Sequence, residues 1–158
     1  MHYDYKIDHD DIRKVKYPEI AFAGPLGPCM AIGIYDKLSK SGYIGFGIIK
    51  NFDVINQTIT SALNDFKDKN SLKIIVAGAN KSYTTSMVDE KDPLDKICDD
   101  AWGEIEKIIL SYGFDKRNVV FHRSKKKGIN QDMYLDCKKG RIVVKDYAEK
   151  LPDEFYDD

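Results

Sequence analysis

The 158-residue chain has little of what would mark most specialised chemistries. Its three histidines (His2, His9 and His122) are scattered, and no pair has the i, i+4 spacing that sets two imidazoles on one helical face. No metal site is therefore expected. There is no Walker loop and no Gly-x-Gly-x-x-Gly opening a helix, so no nucleotide cradle is indicated, and no cofactor is called for. Cysteine is scarce. Cys29, Cys98 and Cys137 cannot all pair and show no Cys-x-x-Cys spacing, which reads as reduced thiols in a cytoplasmic protein. Long apolar runs are missing too. The longest uncharged stretch, Ile20 to Tyr35, has 16 residues and is broken by Pro25, Pro28 and three glycines, too short and too interrupted for membrane insertion. The opening Met1-His2-Tyr3-Asp4 lacks the charged-then-apolar pattern of a signal peptide. A net charge of −1 excludes overall basic character and leaves only a local basic face open.

What is present is ordinary globular material. With 42% hydrophobic and 32% charged residues, the chain can bury one substantial core. Residues 1–18 mix acids and bases without period and read as an N-terminal arm, docked by Tyr3 and Tyr5. Glu19 to Ala23 reads as a short strand, interrupted by the turn Gly24-Pro25-Leu26-Gly27-Pro28. Cys29 to Tyr35 and Tyr43 to Ile49 are apolar runs joined by a short polar loop, the pattern of an antiparallel hairpin. Asp53 can cap a helix with Ile55, Ile59, Ala62, Leu63 and Phe66 on one face. Leu72 to Val76 reads as a buried strand. Asp92-Pro93 can open a second helix, striped by Leu94, Ile97, Ala101, Ile105, Ile108 and Ile109 and ended by Gly113. Strands at Val119 to His122, Gln131 to Leu135 and Arg141 to Lys145 close the domain. The order β-β-β-α-β-α-β-β-β, with hairpins at both ends, indicates a mixed α/β domain over residues 19–146 and not a doubly wound sheet. Gly42-Tyr43-Ile44-Gly45-Phe46-Gly47 lies inside a strand, where its glycines indicate close backbone packing.

Cys29 invites two readings. It follows a Gly/Pro turn and opens an apolar strand, where a thiolate could attack an amide carbonyl while nearby backbone N–H groups hold the oxyanion. The stronger reading from composition and spacing is a buried core residue, since free cysteines are among the most buried residue types.

The segment Leu26-Gly27-Pro28-Cys29-Met30-Ala31-Ile32, followed by Tyr35-Asp36, resembles the nucleophile segment of the CheD family, the chemoreceptor glutamine deamidases. Val76-Ala77-Gly78-Ala79 resembles that family's Gly-Gly-Ala after its middle strand. Tyr134-Leu135-Asp136 through Lys139-Gly140-Arg141-Ile142-Val143-Val144-Lys145 resembles its closing hairpin. The likeness runs in order from about residue 19 to residue 145 and implies a three-layer α/β/β sandwich, the fold shared with cytotoxic-necrotizing-factor-type deamidase toxins. It also implies Cys29 as nucleophile and a chemoreceptor-like protein partner. The other catalytic positions differ. The family's histidine base, seventeen residues after the cysteine, falls on Phe46, and its threonine, six residues before, falls on Ala23. Its Asp-x-Gly-Gly and Gly-Arg pieces fall on Ser124 to Lys127 and on Asn130-Gln131.

Deamidation through a thioester needs a thiolate, an acid for the leaving ammonia and a base for the hydrolytic water. Phenylalanine can move none of these protons. His122, ending a strand near the displaced glycine loop, is the nearest replacement base, or simply a half-exposed histidine in a basic stretch. Two functions follow. One is a catalytically degenerate CheD-like protein acting by binding. The other is an active protein-glutamine deamidase using Cys29 with a relocated base such as His122.

Charge is split near the end of the chain. Residues 116–145 hold ten Lys or Arg against Asp132 and Asp136, or +8, while 146–158 hold six acids and one lysine, or −5. The basic segment could meet nucleic acid or an acidic protein, although no RNA-binding motif accompanies it. It could also be a solvated hairpin neutralised by the acidic C-terminal tail, residues 147–158, folding back with Tyr147, Leu151, Phe155 and Tyr156 as anchors.

Overall fold

The computed structural model describes residues 1–82 and 94–150. Its strands are β1 (Tyr5–Lys6), β2 (Asp11–Lys16), β3 (Ile20–Leu26), β4 (Met30–Asp36), β5 (Ser41–Gly47), β6 (Leu72–Gly78), β7 (Val119–His122), β8 (Ile129–Asp136) and β9 (Arg141–Ala148). The helices are α1 (Phe52–Asp65) and α2 (Leu94–Ser111).

The apolar run after Pro28 explains the layering. Every residue of β4 is buried, which a strand can sustain only when both its faces are covered. Met30, Ile32 and Ile34 pack with Ile55 and Ile59 of α1 and with Trp102 and Ile105 of α2. Ala31 and Tyr35, on the opposite face, pack with Ala23 and Leu26 of β3 and with Met133 and Leu135 of β8. Both helices therefore cover one face of the β4 sheet, and a second sheet covers the other. The first sheet runs β2-β5-β4-β6-β7 and the second β1-β3-β8-β9. β4 and β5 pair antiparallel, from Met30 opposite Gly47 to Asp36 opposite Ser41, as the short polar loop predicts. β6 and β7 are parallel, a step that requires a crossover and has one in α2. In β5, a Cβ on Gly45 would come 2.3 Å from the Thr58 hydroxyl of α1, so the glycine permits the close approach of helix to sheet.

The ends of the chain depart from expectation. Residues 1–18 are not a loose arm: β1 pairs with β3, and β2 extends the five-stranded sheet along β5. Tyr3 does dock by stacking on Phe22, and Tyr5 donates to Glu19 at 2.6 Å. β2 escapes periodicity because it is an edge strand with Val15 as its one buried residue, and polar edges hide their strand character. β3 does not stop at Ala23. Its pairing with β8 shifts register between Ala23 and Leu26, and Pro25 lies in that irregularity, where no ladder N–H is needed. α1 begins one residue before Asp53, which sits in the first turn facing the helix dipole instead of capping it. Asp92-Pro93 lies outside the described residues. β9 continues through Tyr147 and Ala148, so the tail boundary at 147 falls within a strand, and the remaining anchors from 151 onward lie outside the described residues.

Candidate functional site

Cys29 stands immediately before β4, at the end of the sheet where three chain segments converge. The Ala79 N–H donates to the Cys29 carbonyl, and the Asn80 N–H to the Gly27 carbonyl, both at 2.8 Å. The approach is so close that a Cβ on Gly78 would lie 2.0 Å from the Cys29 oxygen, and Gly78 adopts φ +95°, so this position excludes a side chain. Asn80, fully buried, clamps the junction. Its Nδ2 donates to the Leu26 carbonyl and to Gln131 Oε1, and its Oδ1 accepts from the Ser124 N–H. Gln131 Oε1 also accepts from the Gly78 N–H at 2.9 Å, and the Trp102 indole donates to the Gly78 carbonyl at 3.0 Å. Within this junction, the backbone N–H groups of Gly78, Ala79 and Asn80 already have acceptors and are not open to an oxyanion.

The thiol is only 3% exposed. Burial, with a lesser contribution from the Asp10 carboxylate, pushes it up to about 11, against the smaller opposing effect of a backbone hydrogen bond from Ile49. At neutral pH about one such thiol in ten thousand is ionised. Phe46, onto which the resemblance would place a base, is a buried core residue pairing with Ala31. Ala23 is fully buried on β3 in the facing sheet, opposite Met133. Neither can move a proton.

His122 ends β7 in register with Ala77 of β6, which is in turn opposite Ala31 of β4. It therefore stands two strands from β4, about 10 Å at ordinary strand spacing. Its Nε2 meets Asp146 Oδ1 at 3.1 Å, and the same carboxylate oxygen accepts from Gln131 Nε2 at 3.0 Å. The histidine is thus tied to β9 and makes no contact with Cys29.

Comparison with known proteins adds little. No family model matches the sequence, and no curated protein does. Among solved structures the chain is similar to the hypothetical protein YfiH of Bacillus licheniformis, at 6% identity and a TM-score of 0.49 over 71% of this chain and 50% of that one. The chain thus spans about half the length of that protein.

Two residues that sequence reasoning passed over lie close to this site. The turn between β1 and β2 brings His9 edge-on to the Phe46 ring, at 4.6 Å between centroids, and sets Asp10 against β5. Asp10 accepts from the Ile48 N–H and from Asn51 Nδ2. The polar run Asp8-His9-Asp10-Asp11 signals a turn, but only tertiary pairing of β2 with β5 carries it to the cysteine. Among the described residues no three His, Cys, Asp or Glu side chains converge as a metal site requires. All three cysteines are free and buried.

Two cations of the basic segment, Arg123 and Lys127, find acids on α2, while Arg117 pairs with Asp115 and Arg141 with Asp136. Arg123 bonds Asp99, Lys81 lies 3.6 Å from the same carboxylate, and Lys127 lies 3.8 Å from Asp95. Among the described residues no helix is long and apolar enough to cross a membrane.

Proposed function

We propose that this chain is a cytoplasmic CheD-like protein of the three-layer α/β/β deamidase fold that no longer deamidates glutamine and acts by binding a protein partner. The observation carrying this reading is the state of Cys29. The thiol is sealed, pushed up to about 11, with Phe46 and Ala23 in the positions where the family has proton-moving side chains. The order of the layers and the place of Cys29 at the head of β4 support the family resemblance. The neighbouring N–H groups already in use, and the tether of His122 to Asp146, argue against turnover.

The experiment incubates the full chain with a glutamine-bearing chemoreceptor cytoplasmic fragment, measuring ammonia release and complex formation for wild type and Cys29→Ala. The expected result is no ammonia above background and equal binding by both proteins. Ammonia release abolished by Cys29→Ala would overturn degeneracy in favour of an active deamidase with His122 as the first base to test. Absence of binding would remove the chemoreceptor-like partner.

A further inference from the structure

At the opposite end of β4 from Cys29 the two sheets part, leaving a cleft of about 290 Å³ between the β6–β7 edge and the start of β9. Its apolar part is formed by Ile75, Val120 and Ile142. Around it stand Lys73, Arg117 and Arg141, and no acidic residue lines it. Asp115 holds Arg117 by Nε and one terminal nitrogen, which orients the guanidinium and leaves the other nitrogen clear. Arg141 keeps only a 3.6 Å contact with the buried Asp136 carboxylate, and Lys73 has no carboxylate partner among the described residues.

The second observation is Tyr35. This residue is only 6% exposed and lines the cleft, yet its hydroxyl makes no hydrogen bond with any described residue. The oxygen lies beside Gly140, also in the cleft wall, where a Cβ would approach it to 3.0 Å and φ is +68°. A glycine here keeps the space in front of the hydroxyl open. The ring is buried while the hydroxyl oxygen at its tip stays open to the cleft, so it presents an uncommitted donor to an acceptor entering from outside. Burial raises the phenol above its ordinary value, so at neutral pH it is a donor.

We propose that this cleft is a binding site for a small phosphate monoester with an apolar body. Three cations and a hydroxyl donor exceed what a single carboxylate needs and match a dianion with three oxygens; guanidinium forks suit such a group. The isoleucine and valine surface suits an apolar substituent, and the volume lies at the small-molecule end of known ligand sites. The residues come from β4, β6, the turn before β7 and the start of β9, so the site exists only in the folded chain. It is independent of the reading of Cys29.

Amide shifts of the full ¹⁵N-labelled chain test this, titrated separately with phenyl phosphate, inorganic phosphate and phenol. Phenyl phosphate is expected to shift Asn118, Val120, Gly140 and Arg141 saturably. Inorganic phosphate should shift the same amides about tenfold more weakly, and phenol should leave them in place. The double variant Lys73→Gln, Arg141→Gln alters exposed side chains and should keep the dispersed spectrum while losing at least about tenfold in affinity. Tyr35→Phe should weaken binding by a smaller factor. The proposal is overturned by shifts that do not saturate, by shifts centred on Lys125 to Lys127 instead, or by equal affinity of the double variant. Equal affinity for inorganic phosphate would reduce the cleft to an adventitious ion site, and binding of a phosphopeptide without phenyl phosphate would make it a protein-docking site; either result overturns the proposal.

Discussion

Gly78→Ala probes the junction that buries Cys29, and its cost can be worked from the backbone. Gly78 sits at φ +95°, and moving an L-residue into left-handed space costs about 1–2 kcal/mol. The added Cβ would lie 2.0 Å from the Cys29 carbonyl oxygen and 3.0 Å from Met30 Cα. A carbon normally stays about 3.3 Å or more from such an oxygen, so β4 and β6 must separate by more than 1 Å. Three hydrogen bonds depend on the present spacing: Ala79 N–H to Cys29, Gly78 N–H to Gln131, and the Trp102 indole to Gly78. Losing two of them adds about 2 kcal/mol, for a total of about 3–4 kcal/mol. Urea unfolding followed by the fluorescence of Trp102, the single tryptophan, measures this directly. Gly103→Ala is the control, because a Cβ there meets nothing within 4 Å in the interior of α2. It should stabilise by about 0.5–1 kcal/mol through helix propensity. A Gly78→Ala protein that unfolds within about 1 kcal/mol of wild type would refute the clash with the Cys29 carbonyl.

Three other outcomes are expected. Iodoacetamide should modify Cys29 at pH 8 about a hundredfold more slowly in the native than in the urea-unfolded protein, since the native thiol lies near 11; a profile titrating below about 7 would refute the sealed-thiol account. Cys29, Cys98 and Cys137 are raised by burial to about 11, 11 and 12, so their contribution to stability is complete below the unfolded value near 9 and is lost as pH rises through the folded values. The urea midpoint should accordingly fall between pH 8.5 and 10.5, and a flat profile would contradict it. Gln131→Leu leaves the Gly78 N–H and Asn80 Nδ2 each short of an acceptor inside the junction and should cost about 2–4 kcal/mol in the same unfolding assay, whereas His122→Ala, at the half-exposed far end of the network, should cost under about 1 kcal/mol and leave Cys29 alkylation unchanged.

The sequence alone determined the elements whose signals are local. Alternating or continuous apolar runs and a short polar loop marked the β4–β5 hairpin. One-sided stripes marked both helices, and Val119 to His122 matched β7 at both ends. These signals need only neighbours a few residues away, because side-chain period and turn chemistry are set by the local backbone. Tertiary structure decided the rest. β2 became a strand because β5 offered it an edge, which its own mixed charges do not announce. β3 crosses a proline because β8 resumes pairing beyond it. The place of Cys29 at the head of an apolar strand was readable, but its thiol pKa was not: desolvation, the Asp10 charge and the Ile49 backbone hydrogen bond arrive from other segments. Likewise, Tyr35, Lys73, Arg117 and Arg141 share one cleft though 106 positions separate the first from the last. Burial and electrostatics depend on which surfaces meet across the sheets, and that is a property of packing, which no stretch of residues carries by itself.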